Sequence, residues 1–144
     1  MNASDRFKPV IKVAANREAD AAKKLGQSRQ KQQSEETKLQ NLREYHAEYM
    51  QRFRDAASAG ITASQLREYQ AFISRLEKTI EEQLVVVQNS SRVVVQKKQA
   101  WQQQHIRTRS MDAAMERLQH REQKARDAQE QKMSDEIAQR ISRR

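Results

Sequence analysis

The sequence predicts an all-α protein, a long antiparallel coiled-coil hairpin of two helices in which helix 2 overhangs helix 1. Apolar residues recur at alternating steps of four and three residues over most of the chain. A single turn signal, Ala59-Gly60-Ile61-Thr62, interrupts them, and the 144 residues include only two glycines and one proline. An apolar seam of period 3.5 sustained over many heptads is typical of a coiled coil.

The seam runs along both predicted helices, and polar residues interrupt it in places. In helix 1 the predicted seam positions are Phe7, Ile11, Ala14, Ala21, Leu25, Leu39, Leu42, Tyr49, Phe53 and Ala56, with Glu18, Ser28, Gln32, Glu35 and His46 as interruptions. In helix 2 they are Leu66, Tyr69, Ile73, Leu76, Ile80, Val87, Val94, Trp101, Met111, Met115, Leu118 and Ala125, with interruptions such as Gln83, Lys97 and Gln104.

The turn contains the residues that a helical hairpin requires. Gly60 suits the left-handed position that follows a helix. Thr62 and Gln65 predict a capping box at the start of helix 2, and Ile61 can pack on Leu66 in a hydrophobic staple.

These signals predict one domain, a single coiled-coil hairpin over residues 1–144 with frayed ends. Helix 1 is expected at about 8–58, the turn at 59–62 and helix 2 at about 63–140. Pro9 sets the first boundary, since proline is tolerated only in the first turn of a helix. Antiparallel pairing about this turn leaves helix 2 without an intrachain partner beyond about residue 115.

The run LVVVQNSSRVVV could instead form two short strands around a polar turn, because valine favours strands. However, Ile80, Val87 and Val94 keep the seven-residue step through the run, which favours a helix. A loosened turn at 89–91 would reconcile the two patterns.

Composition excludes several classes of function. There is no cysteine, which excludes disulfides, thiol nucleophiles and cysteine-based zinc sites. A secretory signal and an apolar run long enough to span a membrane are both missing, so we expect a cytoplasmic protein. The net charge of +9 is spread along the chain, as on solvated helix faces, although it could also steer the protein toward an acidic partner or nucleic acid.

Catalysis is not expected from this sequence. A two-helix coiled coil offers no concave pocket for a substrate, and no glycine-rich phosphate-binding loop is present. Of the three histidines, only His120 has a carboxylate at helical spacing, Glu116, and a zinc site needs more ligands. We therefore expect no cofactor, no metal and no small-molecule substrate.

Two aromatic residues near the turn lie beside the seam and not on it. Tyr45 follows Leu42 and precedes Tyr49 on one ridge of helix 1, and Phe72 lies between Tyr69 and Leu76 on helix 2. Antiparallel pairing should place Tyr45 and Phe72 roughly opposite each other. The two rings either widen the core or border an exposed apolar patch of the kind that binds partners.

The chain resembles the flagellar FliJ family, soluble components of the flagellar type III export apparatus. The resemblance rests on LQNLREYHAEY, the Gly60 turn and YQAFISRLEKTIEEQ, with weaker similarity at Trp101 and in MSDEIAQR. It implies a stalk-like coiled coil, similar to the shaft of rotary ATPases, that inserts into the export ATPase ring and regulates it. It also implies binding to the cytoplasmic domain of the transmembrane export gate and to export chaperones, and hence a peripheral association with the inner membrane.

Carried over by position, the resemblance implies two sets of partner-binding residues. The candidates that face the export gate are Leu42, Tyr45, Tyr49, Phe72 and Leu76. The candidates that face the ATPase ring are Lys12, Arg17, Lys23 and Lys24. Three other readings of the chain stay open at this point: a basic coiled coil that binds nucleic acid, a structural protein that self-associates through its overhang, and the equivalent stalk of a virulence type III secretion system.

Overall fold

The computed structural model describes residues 2–143, which form two α-helices joined by a short turn. Helix α1 spans Ala3–Ala59 and helix α2 spans Ala63–Ser142. The two helices pack against each other, and no strand occurs in the part of the chain that is described. The predicted all-α helical hairpin is therefore confirmed.

The chain divides into two compact units, and both helices contribute to each unit. Unit 2 comprises Ala22–Gln99 and contains the turn, whereas unit 1 comprises the described residues up to Ala21 and those from Ala100 onward. In unit 1 Ser4 contacts Glu122 and Glu18 contacts His105, so the helices are antiparallel there. In unit 2 the turn itself makes them antiparallel.

The turn has the geometry that its sequence predicts. Gly60 has a φ of 94°, and its N–H donates to the carbonyl oxygen of Ala57 at 3.3 Å. The N–H of Thr62 donates to Oε1 of Gln65 at 3.0 Å, and the N–H of Gln65 donates to Oγ1 of Thr62 at 3.1 Å. These reciprocal bonds are the predicted capping box, and they satisfy backbone donors that the first turn of α2 leaves unpaired.

Helix α1 begins earlier than the proline suggested. The expectation that the chain before residue 8 is frayed is wrong for residues 3–7, which are helical; Met1 lies outside the described residues. The N–H of Arg6 donates to the carbonyl oxygen of Asn2 at 3.2 Å, so the backbone bonds start there. Pro9 lies inside α1, where its missing N–H removes a single bond of the helix. A contact between Ser4 and Glu122 of α2 holds this first turn.

The seam follows the predicted positions closely in α1. Among residues 7–56 each predicted seam position is buried or half-buried, including the polar interruptions. The most buried apolar residues are Ala14, Leu25, Leu39 and Leu76, which are 3–8% exposed. A core of this kind is one layer of side chains between two helices, which is why few residues are fully enclosed.

The expectation that helix 2 has no partner beyond about residue 115 is wrong, because Leu118 is half-buried and Glu122 contacts Ser4, but the seam of α2 still ends before its last predicted position. Ala125, predicted as a seam residue, is exposed, and the last half-buried position is Glu122. The physical reason is the length of α1, since Glu122 already contacts Ser4 in its first turn and α1 offers no residue opposite Ala125. Residues 123–142 are helical, and residues 123–143 are exposed throughout.

The valine-rich run is helical from end to end. Residues 84–95 continue α2 without a break, with Val87 and Val94 half-buried in the seam. Ser90 Oγ and Ser91 Oγ both donate to the carbonyl oxygen of Val87, at 2.7 and 3.1 Å. Because these hydroxyls find acceptors within the helix, the polar residues need no turn of their own.

Polar layers in unit 2 are paired between the helices. Nε2 of Gln83 donates to the backbone oxygen of Glu35 at 3.0 Å and to its Oε2 at 2.7 Å. Nε2 of Gln32 donates to Ser91 Oγ at 3.0 Å. In the described part of the chain, no buried side-chain nitrogen or oxygen lacks a hydrogen-bond partner. The polar interruptions are thus accommodated, since a paired buried polar group avoids most of its desolvation cost.

Candidate partner-binding surfaces

Five aromatic side chains of unit 2 form one continuous cluster next to the turn. The rings of Tyr45 and Phe72 lie 6.0 Å apart between centroids, edge to face, which confirms that the two residues oppose each other across the hairpin. Tyr49 packs between them and the rest of the cluster, 4.2 Å from Phe72 and 5.5 Å from Tyr69. Phe53 continues the cluster, 5.4 Å from Tyr69. Edge-to-face and tilted pairs of this kind add to the stability that burial alone provides.

The residues that the family resemblance assigns to the export gate differ in exposure. They are named here the aromatic patch: Leu42, Tyr45, Tyr49, Phe72 and Leu76. Tyr45 is 42% exposed, Leu42, Tyr49 and Phe72 are half-buried, and Leu76 is a core residue with 8% exposed. Four members therefore reach the surface, and Leu76 lies in the core.

Arg75 belongs to the same surface, although it was not among the predicted residues. Its guanidinium carbon lies 5.8 Å from the centroid of the Phe72 ring, within the range of a cation–π contact. The spacing of three residues from Phe72 was the signal that could have revealed it, because residues three apart are neighbours on a helix. Arg75 places a positive charge at the edge of the aromatic patch.

The residues that the resemblance assigns to the ATPase ring are all exposed, and they are divided between the two units. Lys12 and Arg17 belong to unit 1, whereas Lys23 and Lys24 belong to unit 2. Arg17 borders an open cavity of about 220 Å³ in unit 1. The other residues that line this cavity are Val10, Val13, Ala14, Gln104, Arg107 and Met111.

Two carboxylates of unit 1 are held by hydrogen bonds from the opposite helix. Nδ1 of His105 lies 2.5 Å from Oε1 of Glu18, and the His105 ring stacks on Trp101 at 5.1 Å. The N–H and Oγ of Ser4 donate to the Glu122 carboxylate at 3.0 and 2.5 Å. The hydrogen bond from His105 lowers the pKa of Glu18, and the bonds from Ser4 lower the pKa of Glu122.

The end of α2 presents apolar side chains to solvent. Met133, Ile137 and Ile141 are 56%, 54% and 70% exposed, and their spacing of four residues places them on one side of the helix. The structure thus gives the overhang an apolar stripe that α1 does not cover.

Residues 2–143 contain no group of three or more His, Asp or Glu side chains that could hold a metal ion. A glutamate with an ordinary pKa is already charged at neutral pH, and the hydrogen bonds lower the pKa of Glu18 and Glu122 further, so neither is suited to donate a proton as a general acid. Neither of the two described helices is long and apolar enough to cross a membrane.

Comparison with known proteins gives a consistent result over the whole chain. The model of the family described as "Flagellar FliJ protein" matches residues 3–144. The flagellar FliJ protein of Escherichia coli (strain K12) is 32% identical, and that of Salmonella typhi is 30% identical. Each match covers 93% of this chain and 92% of the relative. No solved structure matches the chain significantly. The chain belongs to the flagellar FliJ protein family.

Proposed function

We propose that the protein is a non-enzymatic component of flagellar protein export. It acts as a stalk-like coiled coil that inserts into the ring of the export ATPase, presents the aromatic patch to the cytoplasmic domain of the export gate, and interacts with export chaperones. Its place is in the cytoplasm, peripherally bound to the export apparatus of the inner membrane. Membership in the flagellar FliJ family supports the flagellar setting.

The observation that carries the gate contact is the exposed part of the Tyr45 ring. Tyr45 is 42% exposed and rests on Phe72 and Tyr49, at 6.0 and 6.2 Å between ring centroids. Its neighbours hold the ring in place, so a partner that covers it loses little conformational entropy. Tyrosines in such settings are frequent hot spots of protein interfaces.

Support for the ATPase contact comes from unit 1. There the end of α2 carries the uncovered stripe of Met133, Ile137 and Ile141, and Lys12 and Arg17 are exposed on α1. A ring that surrounds the stalk would cover this apolar stripe. Lys23 and Lys24 of unit 2 are the remaining candidates, and their contribution is proposed from the family resemblance alone.

The test replaces both patch rings, Tyr45→Ala with Phe72→Ala, and measures binding to the purified cytoplasmic domain of the export gate. We expect binding to weaken by at least about tenfold, because each truncated hot-spot ring costs on the order of 1–2 kcal/mol. Swimming in soft agar should fall in parallel. Helicity should not change, since Tyr45 is 42% exposed and Phe72 is only half-buried.

The matched control is Val85→Ala with Val95→Ala, which removes two side chains of unit 2 that are each 54% exposed and lie away from the patch. These replacements should leave gate binding within about twofold of the wild type, as expected for surface changes outside an interface. If the patch variant binds the gate and supports swimming as the wild type does, the proposed role of the patch is wrong.

A further inference from the structure

A shallow groove runs along one side of unit 2 between the two helices. Its cavity has a volume of about 200 Å³ and is lined by Ser28, Lys31, Val86, Asn89, Ser90 and Val93. Ser28 and Ser90 form the floor, and both are buried, with hydroxyls that donate to carbonyls of their own helices. The small serines at seam positions leave space that a leucine pair would fill. Val86 and Val93 are 39% and 40% exposed and form an apolar wall.

The groove lies on the same side of the hairpin as the aromatic patch. Seven residues make almost two full helical turns, so residues at this spacing share a face. From the contact of Tyr45 with Phe72, we count back seven residues at a time along α1 and forward seven residues at a time along α2. Each step gives one α1 residue and one α2 residue that lie opposite each other. Those pairs are Lys38 with Thr79, Lys31 with Val86, and Lys24 with Val93. The lining of the cavity by both Lys31 and Val86 agrees with this register.

The two edges of the groove differ in charge. The α1 edge carries Lys31, which lines the cavity, with Lys24 and Lys38 seven residues to either side, and all three are exposed. Lys38 contacts Glu35, whose side chain is only 12% exposed, at 3.5 Å, and Lys24 also has an interaction partner. The outer edge of α2 carries Arg75, Glu82, Asn89 and Gln96 at the same spacing. The charges of Arg75 and Glu82 offset each other, so this edge is nearly neutral. The groove therefore combines an apolar wall on α2 with a cationic edge on α1.

We propose that this valine–lysine groove binds an acidic amphipathic helix of a partner protein. The partner places apolar side chains against Val86 and Val93 and carboxylates against Lys24, Lys31 and Lys38. The edge from Lys24 to Lys38 is about 21 Å long at 1.5 Å per residue, which matches a helix of about four turns. Docking of an apolar helix face into a groove is a common mode of recognition. The groove is separate from the aromatic patch and does not depend on the proposed gate contact.

Charge and shape favour an acidic helix in the groove over a second copy of the chain, a small molecule or a lipid surface. A second copy of the chain, with a net charge of +9, would meet a cationic edge with a cationic partner. The cavity is smaller than the roughly 300–1,000 Å³ of small-molecule sites, and it suits a single apolar side chain. A flat lipid surface would not reach the recessed serines at its floor.

The test uses two synthetic helical peptides of ~21 residues, three heptads each, with leucines along one face. One peptide carries glutamates beside the leucines, and the other carries lysines there. Each peptide bears a fluorescent label and a photoreactive group at its central leucine. Anisotropy measures affinity for the full-length protein, and crosslinking identifies the residues that the leucine contacts.

We expect the acidic peptide to bind the wild-type protein at least about tenfold more tightly than the basic peptide. Val86→Asp with Val93→Asp should weaken binding of the acidic peptide by at least about tenfold, because it places charge on the apolar wall. The matched control is Val85→Asp with Val95→Asp, which changes two valines of the same helix that are more exposed than Val86 and Val93. It should leave binding of the acidic peptide unchanged. Lys24→Glu, Lys31→Glu and Lys38→Glu together should reverse the preference between the peptides.

Circular dichroism of each variant checks that helicity is retained, as expected for side chains with this exposure. Equal binding of the two peptides, equal loss in the control variant, or crosslinks outside the groove would each overturn the proposal. Sedimentation that shows self-association of the wild type, lost in the Val86 and Val93 variant, would assign the groove to a second copy instead. Binding to phosphatidylserine vesicles that the same variant loses would assign it to a membrane surface.

Discussion

The two glycines of this chain should respond in opposite directions to the same substitution. Gly60 follows α1 with a φ of 94°, a conformation that residues with a Cβ rarely adopt. Gly26 lies inside α1, and its φ is not positive. An added Cβ at either position would meet no atom within 4 Å, so packing does not enter the comparison. The backbone conformation alone therefore decides whether the substitution raises or lowers the free energy of unfolding.

The magnitudes follow from the conformations alone. Gly60→Ala should lower the free energy of unfolding by about 1–2 kcal/mol, the cost of a left-handed conformation for an L-residue with a Cβ. Gly26→Ala should raise it by about 0.5–1 kcal/mol, because alanine loses less backbone entropy in a helix. The two sites are roughly 50 Å apart along the helix axis at 1.5 Å per residue, so the double variant should show the sum of both effects.

Urea unfolding followed by circular dichroism at 222 nm measures both effects against the wild type. The midpoint should move down for Gly60→Ala and up for Gly26→Ala, with similar slopes. A neutral or stabilising Gly60→Ala would contradict the left-handed turn. A destabilising Gly26→Ala would show that this part of α1 is not an ordinary helix interior.

Two further predictions concern pH and the seam. Hydrogen bonds from His105, Gln83 and Ser4 lower the pKa of Glu18, Glu35 and Glu122, respectively, below the ordinary value of 4.5. The three charged carboxylates therefore stabilise the folded protein above that pH, and this stabilisation is lost as the pH falls through the lowered pKa values. The urea midpoint should therefore drop between about pH 5 and pH 3, and drop less in Glu122→Gln; a midpoint that is constant with pH would refute the effect. Leu39→Ala, at a position 6% exposed, should cost about 2–3 kcal/mol in urea unfolding, whereas Ile106→Ala, 65% exposed, should cost less than about 0.5 kcal/mol. Equal costs for the two substitutions would contradict the placement of Leu39 in the core.

Much of this fold follows from local chemistry. The alternation of four and three predicts which side chains of α1 are buried, polar residues included, because helix geometry alone places them on one face. The capping box of Thr62 with Gln65 is confirmed, since it depends only on residues three apart. The contact of Tyr45 with Phe72 is also confirmed, because the turn sets the register for the residues next to it.

Predictions were wrong where residues far apart in sequence decide the outcome. Pro9 by itself suggested a later start of α1, but in the first turn of α1 Ser4 donates hydrogen bonds to Glu122, 118 positions away in sequence. The same contact leaves Ala125 without a partner. Leu76, which the resemblance places among the gate-facing residues, lies in the core.

The sequence by itself determined that this chain forms two helices, where they turn and which face of α1 is buried, because these properties depend on the periodicity of one helix and the conformation of a few residues. Family membership likewise follows from the sequence. Only the tertiary structure decided how the faces are finished: which off-seam rings stay exposed, where pairing ends, and that small serines open a groove beside a row of lysines. Those features require the register between two helices, which no single segment contains.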